Sequence, residues 1–263
     1  MLQLRKTLEG VLKSVAPRAA YPSSMLRRSV QRSTSSKVLA GPFRGMQYLA
    51  YSTYGAYIPK LIGTYEREIA AALEHELGTA PSHVIDVGGA EGYYAVGVLT
   101  RLPQARVTVF EMSQPARMAI GELARLNGVS DRVDIRGRCE PSDLEACLVQ
   151  TGATLVIMDV EGFEAELLNP VACPHLAQAD VLVEVHDFKV AGCSERVLSQ
   201  LENTHRATLI RQAPRAVSEY PLRSVWPRLF PGAVLKYGLN EFRPEDNWWI
   251  WFQRKTVADA GAR

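Results

Sequence analysis

The groups that could do chemistry in this chain are acids at the ends of apolar runs, together with one histidine. Val84-Ile85-Asp86-Val87 passes directly into Gly88-Gly89-Ala90-Glu91-Gly92. Glycine has no Cβ and tolerates positive φ, so a glycine-rich turn after a strand lets the backbone come close to a nucleotide-like ligand. Val107-Thr108-Val109-Phe110 ends in Glu111, 25 positions after Asp86. That separation suits a carboxylate that accepts from ribose hydroxyls at the end of a second strand. Further on, Leu155-Val156-Ile157-Met158 leads into Asp159 and Glu161, and Val181-Leu182-Val183-Glu184-Val185 into His186 and Asp187. An imidazole whose ordinary pKa lies near neutrality is a competent base at physiological pH, so His186 is the candidate proton acceptor. Asp159 and Glu161 are its companions in a catalytic role.

The order of residues around the glycines bears on the ligand. A dinucleotide site wants G-x-G-x-x-G with a helix N-terminus aimed at a pyrophosphate. Here the order is Asp86-x-Gly88-x-x-x-Gly92. A carboxylate two places before the first glycine repels pyrophosphate and attracts a cation. That favours S-adenosylmethionine, which carries a sulfonium and an ammonium, over NAD. An ordinary tight strand-to-helix turn remains the structural alternative.

These groups need a scaffold that gathers strand ends. Strands are expected near residues 83–87, 106–111, 132–136, 154–160, 180–186, 206–212 and 247–253, with helices between most of them. Ser113 reads as an N-cap, Pro115 suits a first turn, and Asn127-Gly128 stops a helix over Ala116 to Leu126. Strands alternating with helices imply a parallel sheet covered on both faces.

With these segments in hand, the chain resembles the class I S-adenosylmethionine-dependent methyltransferases. Asp159-Val160-Glu161-Gly162-Phe163-Glu164 resembles the D-V-E-G-x-E signature of the FkbM-like members, which are mainly O-methyltransferases. The resemblance spans roughly residues 81–256. It implies an α/β, Rossmann-like fold: a seven-stranded, mostly parallel sheet with helices on both faces and an antiparallel last strand, here Trp248 to Phe252. It also implies cofactor contacts from Asp86, Gly88, Gly92 and Glu111, and from Gly89 and Glu91 in a loop that departs from G-x-G-x-G. Cys139 and Glu140, just after strand three, would flank the adenine, and Asp159 would sit beside the methionine moiety or the acceptor. The implied activity is O-methylation of a hydroxyl on a small molecule or glycan. A NAD-dependent oxidoreductase and a non-catalytic methyltransferase-like binding protein are the rival readings.

Composition frames this reading. The chain has 263 residues, 47% of them hydrophobic, enough for one sizeable core. Residues 1–45 hold nine Lys or Arg against Glu9, a balance of 9 − 1 = +8, so the remainder carries (30 − 9) − (28 − 1) = −6. Residues 1–45 are therefore expected as a basic segment, 46–80 as a helical preamble or lid, 81–256 as the methyltransferase domain with an insertion at 214–246, and 257–263 as a tail. Residues 1–15 have the spacing of a basic amphipathic helix suited to peripheral contact with an anionic membrane. An Arg- and Ser-rich, acid-poor start also fits a mitochondrial transit peptide, and a segment covering the enzyme body is the third reading. Without C-x-x-C pairs, Cys139, Cys147, Cys173 and Cys193 are expected as reduced thiols, which points to the cytoplasm. Five of the ten tyrosines fall between Tyr48 and Tyr65, where they could line an acceptor pocket. The basic residues are not interleaved with stacking aromatics, so no nucleic-acid partner is expected. Asp159, Glu161, Glu184, His186 and Asp187 would suffice for a divalent ion if they converged, but no compact ligand motif requires one, and catalysis without a metal is the expectation.

Overall fold

Three of the strands are apolar almost from end to end, which is the pattern of strands buried on both faces. They are β1 (His83–Val87), β4 (Thr154–Met158) and β5 (Ala179–Val185), and every residue of β4 and β5 is buried. The computed structural model describes residues 22–150, 154–219, 230–241, 243 and 247–255. With β2 (Arg106–Phe110), β3 (Val133–Arg136), β6 (His205–Arg211) and β7 (Trp248–Arg254), these strands form one sheet in the order β3-β2-β1-β4-β5-β7-β6. The first five pair in parallel, and β7 runs antiparallel between β5 and β6. This is the seven-stranded, mostly parallel sheet with an antiparallel last strand that the sequence led us to expect.

Side chains alternate across a strand, so each strand feeds two cores. Val84, Leu155, Ile157, Leu182 and Trp249 enter one. Ile85, Val87, Val156, Met158, Val183 and Phe252 enter the other. The first face is covered by α1 (Pro22–Thr34), α2 (Tyr57–Ile62), α3 (Ala70–Gly78), α4 (Tyr93–Arg101), α5 (Gln114–Leu126) and α9 (Gly232–Leu239). The second is covered by α6 (Pro141–Val149), α7 (Glu164–Leu167) and α8 (Cys193–Leu201). Ser113 caps α5 by accepting from the Ala116 N–H at 3.4 Å, and Gly128 takes the left-handed conformation (φ 67°) just beyond its end.

Within residues 46–80, read as a helical preamble or lid, α2 is followed by a 3₁₀ turn, Arg67–Ile69, and then α3, with Glu66 left-handed (φ 46°) where the chain enters the turn. In addition, part of the basic segment is structural: Leu26 and Val30 of α1 lie fully buried, and Leu26 packs so closely on α9 that a Cβ on Gly238 would stand 2.6 Å from it. The amphipathic helix read over residues 1–15 lies outside the described residues. No helix among the described residues is long and apolar enough to cross a membrane.

Candidate active site

The carboxyl ends of β1, β2 and β4 open into a cleft of about 470 Å³, at the sheet edge where open α/β folds bind ligands. Val87 and Gly88 form its floor. Phe110, Glu111 and Met112 lie on one side, Cys139 and Phe163 on another, and Asp159 and Glu161 close the far end. Tyr54, half exposed, lines it from the segment before the sheet.

Glu111 is held by two backbone donors, the N–H of Ala90 at 2.9 Å and that of Ser113 at 2.7 Å. The strand end, the glycine turn and the start of α5 are thereby tied together. Of the expected cofactor contacts, Gly88, Glu111, Cys139 and Asp159 line the cleft. The others do not. Asp86 is buried beneath the turn, where its carboxylate accepts from the Ala95 N–H at 3.0 Å and burial raises its pKa to about 7. Glu140 turns outward to Arg138 at 2.7 Å and forms a capping box with Asp143 at the start of α6. Glu91 is directed inward and fully buried.

The glycines also have a different reason to be glycine. A Cβ on Gly89 would fall 2.2 Å from Val109 Cγ2, and one on Gly92 would crowd Ile120, so these two permit packing of strand against helix. Gly88 (φ 88°) lies against the β4 loop, where a Cβ would come within 1.8 Å of the Asp159 carbonyl oxygen. Gly88→Ala is therefore expected to destabilise the fold by more than about 1 kcal/mol and to displace the Asp159 loop. An unchanged urea midpoint would show that this loop yields freely.

Glu91 organises the wall instead. Its Oε1 accepts from Lys60 Nζ (2.6 Å), Tyr48 OH (2.5 Å) and Ser52 Oγ (2.6 Å), and its Oε2 from the Thr53 and Tyr54 N–H groups at 3.2 and 3.3 Å. Burial opposes its charge, but Lys60 and the surrounding donors hold its carboxyl below the usual range. The tyrosines read as pocket lining divide accordingly. Tyr48 and Tyr57 are buried packing residues, Tyr51 donates to Glu122, and Tyr54 alone of the five borders the cleft.

At the Asp159 end of the cleft, the acids of the segment from Asp159 to Glu164 take different tasks. Glu161 (φ 58°) and Gly162 (φ 113°) make a sharp left-handed turn, which sends Glu164 into the core. There Glu164 Oε1 bonds His186 Nδ1 at 2.6 Å and accepts from the Gly162 N–H at 3.0 Å, while Cys193 Sγ donates to its Oε2 at 3.2 Å. Glu164 thus orients the imidazole rather than capping a helix. Burial works against a charged His186, yet Glu164 and the acids around it raise its pKa overall. His186 Nε2 faces Glu161 at 3.3 Å, Asp159 at 3.5 Å and Glu184 at 3.9 Å. Desolvation first, then the neighbouring Glu66 and Glu161, lift Asp159 to about 8. The structure therefore brings His186, Asp159 and Glu161 together, as their sequence positions led us to expect.

The sequence reading missed the residues behind this group. Arg243 and Asn247 both donate to Glu184 Oε1, Arg243 also reaches Glu68 at 2.9 Å, and Arg215 joins Glu68 to Glu241, at 2.7 Å each. Arg243 and Asn247 lie in or beside the proline-rich stretch, where no periodicity marks a partner.

No family model matches this chain, and no curated protein matches it. Among solved structures, it is similar to a precorrin-6y methyltransferase from Geobacter metallireducens GS-15 at 9% identity, covering 71% of this chain and 89% of that one, with a TM-score of 0.46. It is similar to a ribosomal protein methylase from Lactobacillus delbrueckii subsp. bulgaricus at 18% identity, covering 70% and 76%, TM-score 0.42. A fibrillarin/Nop5p complex gives 12% identity, coverage of 67% and 74%, and a TM-score of 0.44. Likenesses at this level leave the cofactor and the reaction to be argued from the cleft itself.

Proposed function

We propose that the chain is an S-adenosylmethionine-dependent methyltransferase of the FkbM-like kind, which methylates a hydroxyl on a small molecule or glycan. The observation that carries this reading is that one cleft is lined by a strand-end carboxylate, Glu111, and by Asp159 and Glu161, the two acids that the buried His186 faces. Glu111 at the end of β2 suits a ribose diol, the slot between Met112, Cys139 and Phe163 suits a flat adenine, and the backbone at Gly88 suits the link between nucleoside and methionine.

Bound S-adenosylmethionine supplies an electrophilic methyl group on a sulfonium sulfur. The protein has to hold the acceptor in line with that methyl and accept the hydroxyl proton. Transfer of that methyl would leave the proton of the acceptor hydroxyl to be taken up by a side chain at the Asp159 end of the cleft. His186 Nε2, which faces Asp159 and Glu161, would take that proton, and Glu164 sets its ring plane.

Calorimetric titration with S-adenosylmethionine, S-adenosylhomocysteine and NAD tests the reading. Micromolar binding of the first two without NAD supports it; binding of NAD alone overturns it. Glu111→Ala should weaken S-adenosylmethionine by roughly 10- to 100-fold, the effect of losing a charged hydrogen bond or two. Equal affinity in a folded variant would remove the ribose role.

A further inference from the structure

Beside the Asp159 end of the cleft lies a buried histidine nitrogen whose polar neighbours are all carboxylates. His186 is 1% exposed and its Nδ1 makes a short bond to Glu164, but its Nε2 stands 3.3, 3.5 and 3.9 Å from three carboxylate oxygens. Those gaps lie beyond a normal N–H···O distance, about 2.7–3.2 Å. The two shorter gaps match the spacing of atoms that share one ion, since ligands at about 2.0–2.2 Å from a metal stand roughly 3.0–3.6 Å apart, and the Glu184 oxygen lies slightly beyond it.

The charges nearby ask for the same thing. Arg243 and Arg215 are committed to Glu66, Glu68, Glu184 and Glu241, and Lys189 to the exposed Glu161. Asp159 is left with no cation but His186 among the described residues, and its Oδ1 is a buried acceptor with no hydrogen-bond donor. With 35% of its side chain exposed, Asp159 is reachable from the cleft, and a buried acceptor atom without a donor is costly.

We propose that Asp159, Glu184 and His186, with Glu161 at the rim, bind one divalent transition-metal cation. One atom from each of the three lies within 4.8 Å of the others. Each of the two inner ligands is held from behind, as metal ligands are: His186 by Glu164, and Glu184 by Arg243 and Asn247 on the oxygen facing away from the cluster. An imidazole among carboxylates suits Mn²⁺, Fe²⁺ or Zn²⁺ better than Ca²⁺ or Mg²⁺.

The site rests on the methyltransferase reading for its purpose and changes the part His186 plays in it. As a ligand, His186 gives its Nε2 lone pair to the ion. The acceptor hydroxyl then binds at an open position toward the cleft, loses its proton to solvent water, and attacks as an ion-stabilised alkoxide.

The test uses the full chain after chelator treatment, titrated with Mn²⁺ alone while free Mn²⁺ is followed by electron paramagnetic resonance. One equivalent should bind. His186→Ala and Asp159→Asn should each weaken binding more than about 100-fold, and Glu164→Gln, which acts only through the bond to His186 Nδ1, by roughly 10- to 100-fold. Circular dichroism establishes that each variant is folded. Undiminished Mn²⁺ binding in both folded ligand variants overturns the site. Failure of Mn²⁺, Zn²⁺ and Mg²⁺ to bind at millimolar concentration, in protein that still binds S-adenosylmethionine, overturns the site and leaves the methyltransferase reading intact. Mn²⁺ binding that needs these residues, in protein that ignores S-adenosylmethionine, supports the site and removes the methyltransferase reading.

Discussion

His186→Ala is expected to lower kcat by roughly 10²- to 10⁴-fold, the span of a lost proton-transfer group, while the affinity for S-adenosylmethionine barely changes. The split follows from position. His186 follows β5, three strands away from Glu111 at the end of β2 with β1 and β4 between, and it faces Asp159 and Glu161 rather than Glu111. A large effect is expected whether the imidazole takes the proton itself or holds a cation that acidifies the hydroxyl, because both routes need Nε2. Imidazole added to the medium separates a chemical loss from a folding loss, since partial recovery of turnover requires an intact cleft with a ring-sized vacancy. Single-turnover rates beside calorimetric affinity give the measurement. Wild-type turnover in the variant would remove His186 from the chemistry altogether.

The fold was largely legible in the sequence because burial on both faces leaves its mark on every residue of a strand. β4 is a continuous apolar run after Thr154, and the apolar runs of β1 and β5 are broken only by Asp86 in the one and by Asp180 and Glu184 in the other. A local signal of that kind survives without knowing the partner strand. The site was legible in part for the same reason, since Asp159 and His186 sit where strands end, and strand ends in a parallel sheet meet on one edge. What was hidden depends on direction and on distant partners. A glycine is required wherever a Cβ would collide, and sequence does not distinguish a collision with a ligand from one with Val109 or with the Asp159 carbonyl. Glu91 stands in the turn read as cofactor-binding, yet its carboxylate turns away to Lys60, 31 positions earlier. Glu164 and His186 are 22 residues apart on different elements, and only the left-handed turn at Glu161 and Gly162 brings them into contact.

That inward turn of Glu91 sets the second large effect. Glu91→Ala should cost about 3–5 kcal/mol of stability, because it leaves Lys60 charged and buried without its partner. Lys60 is 2% exposed and Glu91 fully buried, so water cannot replace either group. Lys60 Nζ also donates to the Tyr54 carbonyl at 2.7 Å and lies 4.7 Å from the centre of the Tyr65 ring, while Glu91 holds the Thr53 and Tyr54 amides. The pair therefore clamps the stretch that carries Tyr54 to the loop beginning at Gly88. Removing one charge should unfasten that wall of the cleft and weaken S-adenosylmethionine binding as well as stability. Replacing both charges with apolar groups of similar volume, Lys60→Met with Glu91→Leu, should restore much of the stability, since no buried charge is then left alone. Cofactor affinity should stay weak in that double variant, because the amides of Thr53 and Tyr54 still lack their acceptor. Urea unfolding and calorimetry on the same three proteins measure the two effects separately. If affinity returned together with stability, the ion pair would be acting on the core alone, and the position of Tyr54 over the cleft would owe nothing to Glu91.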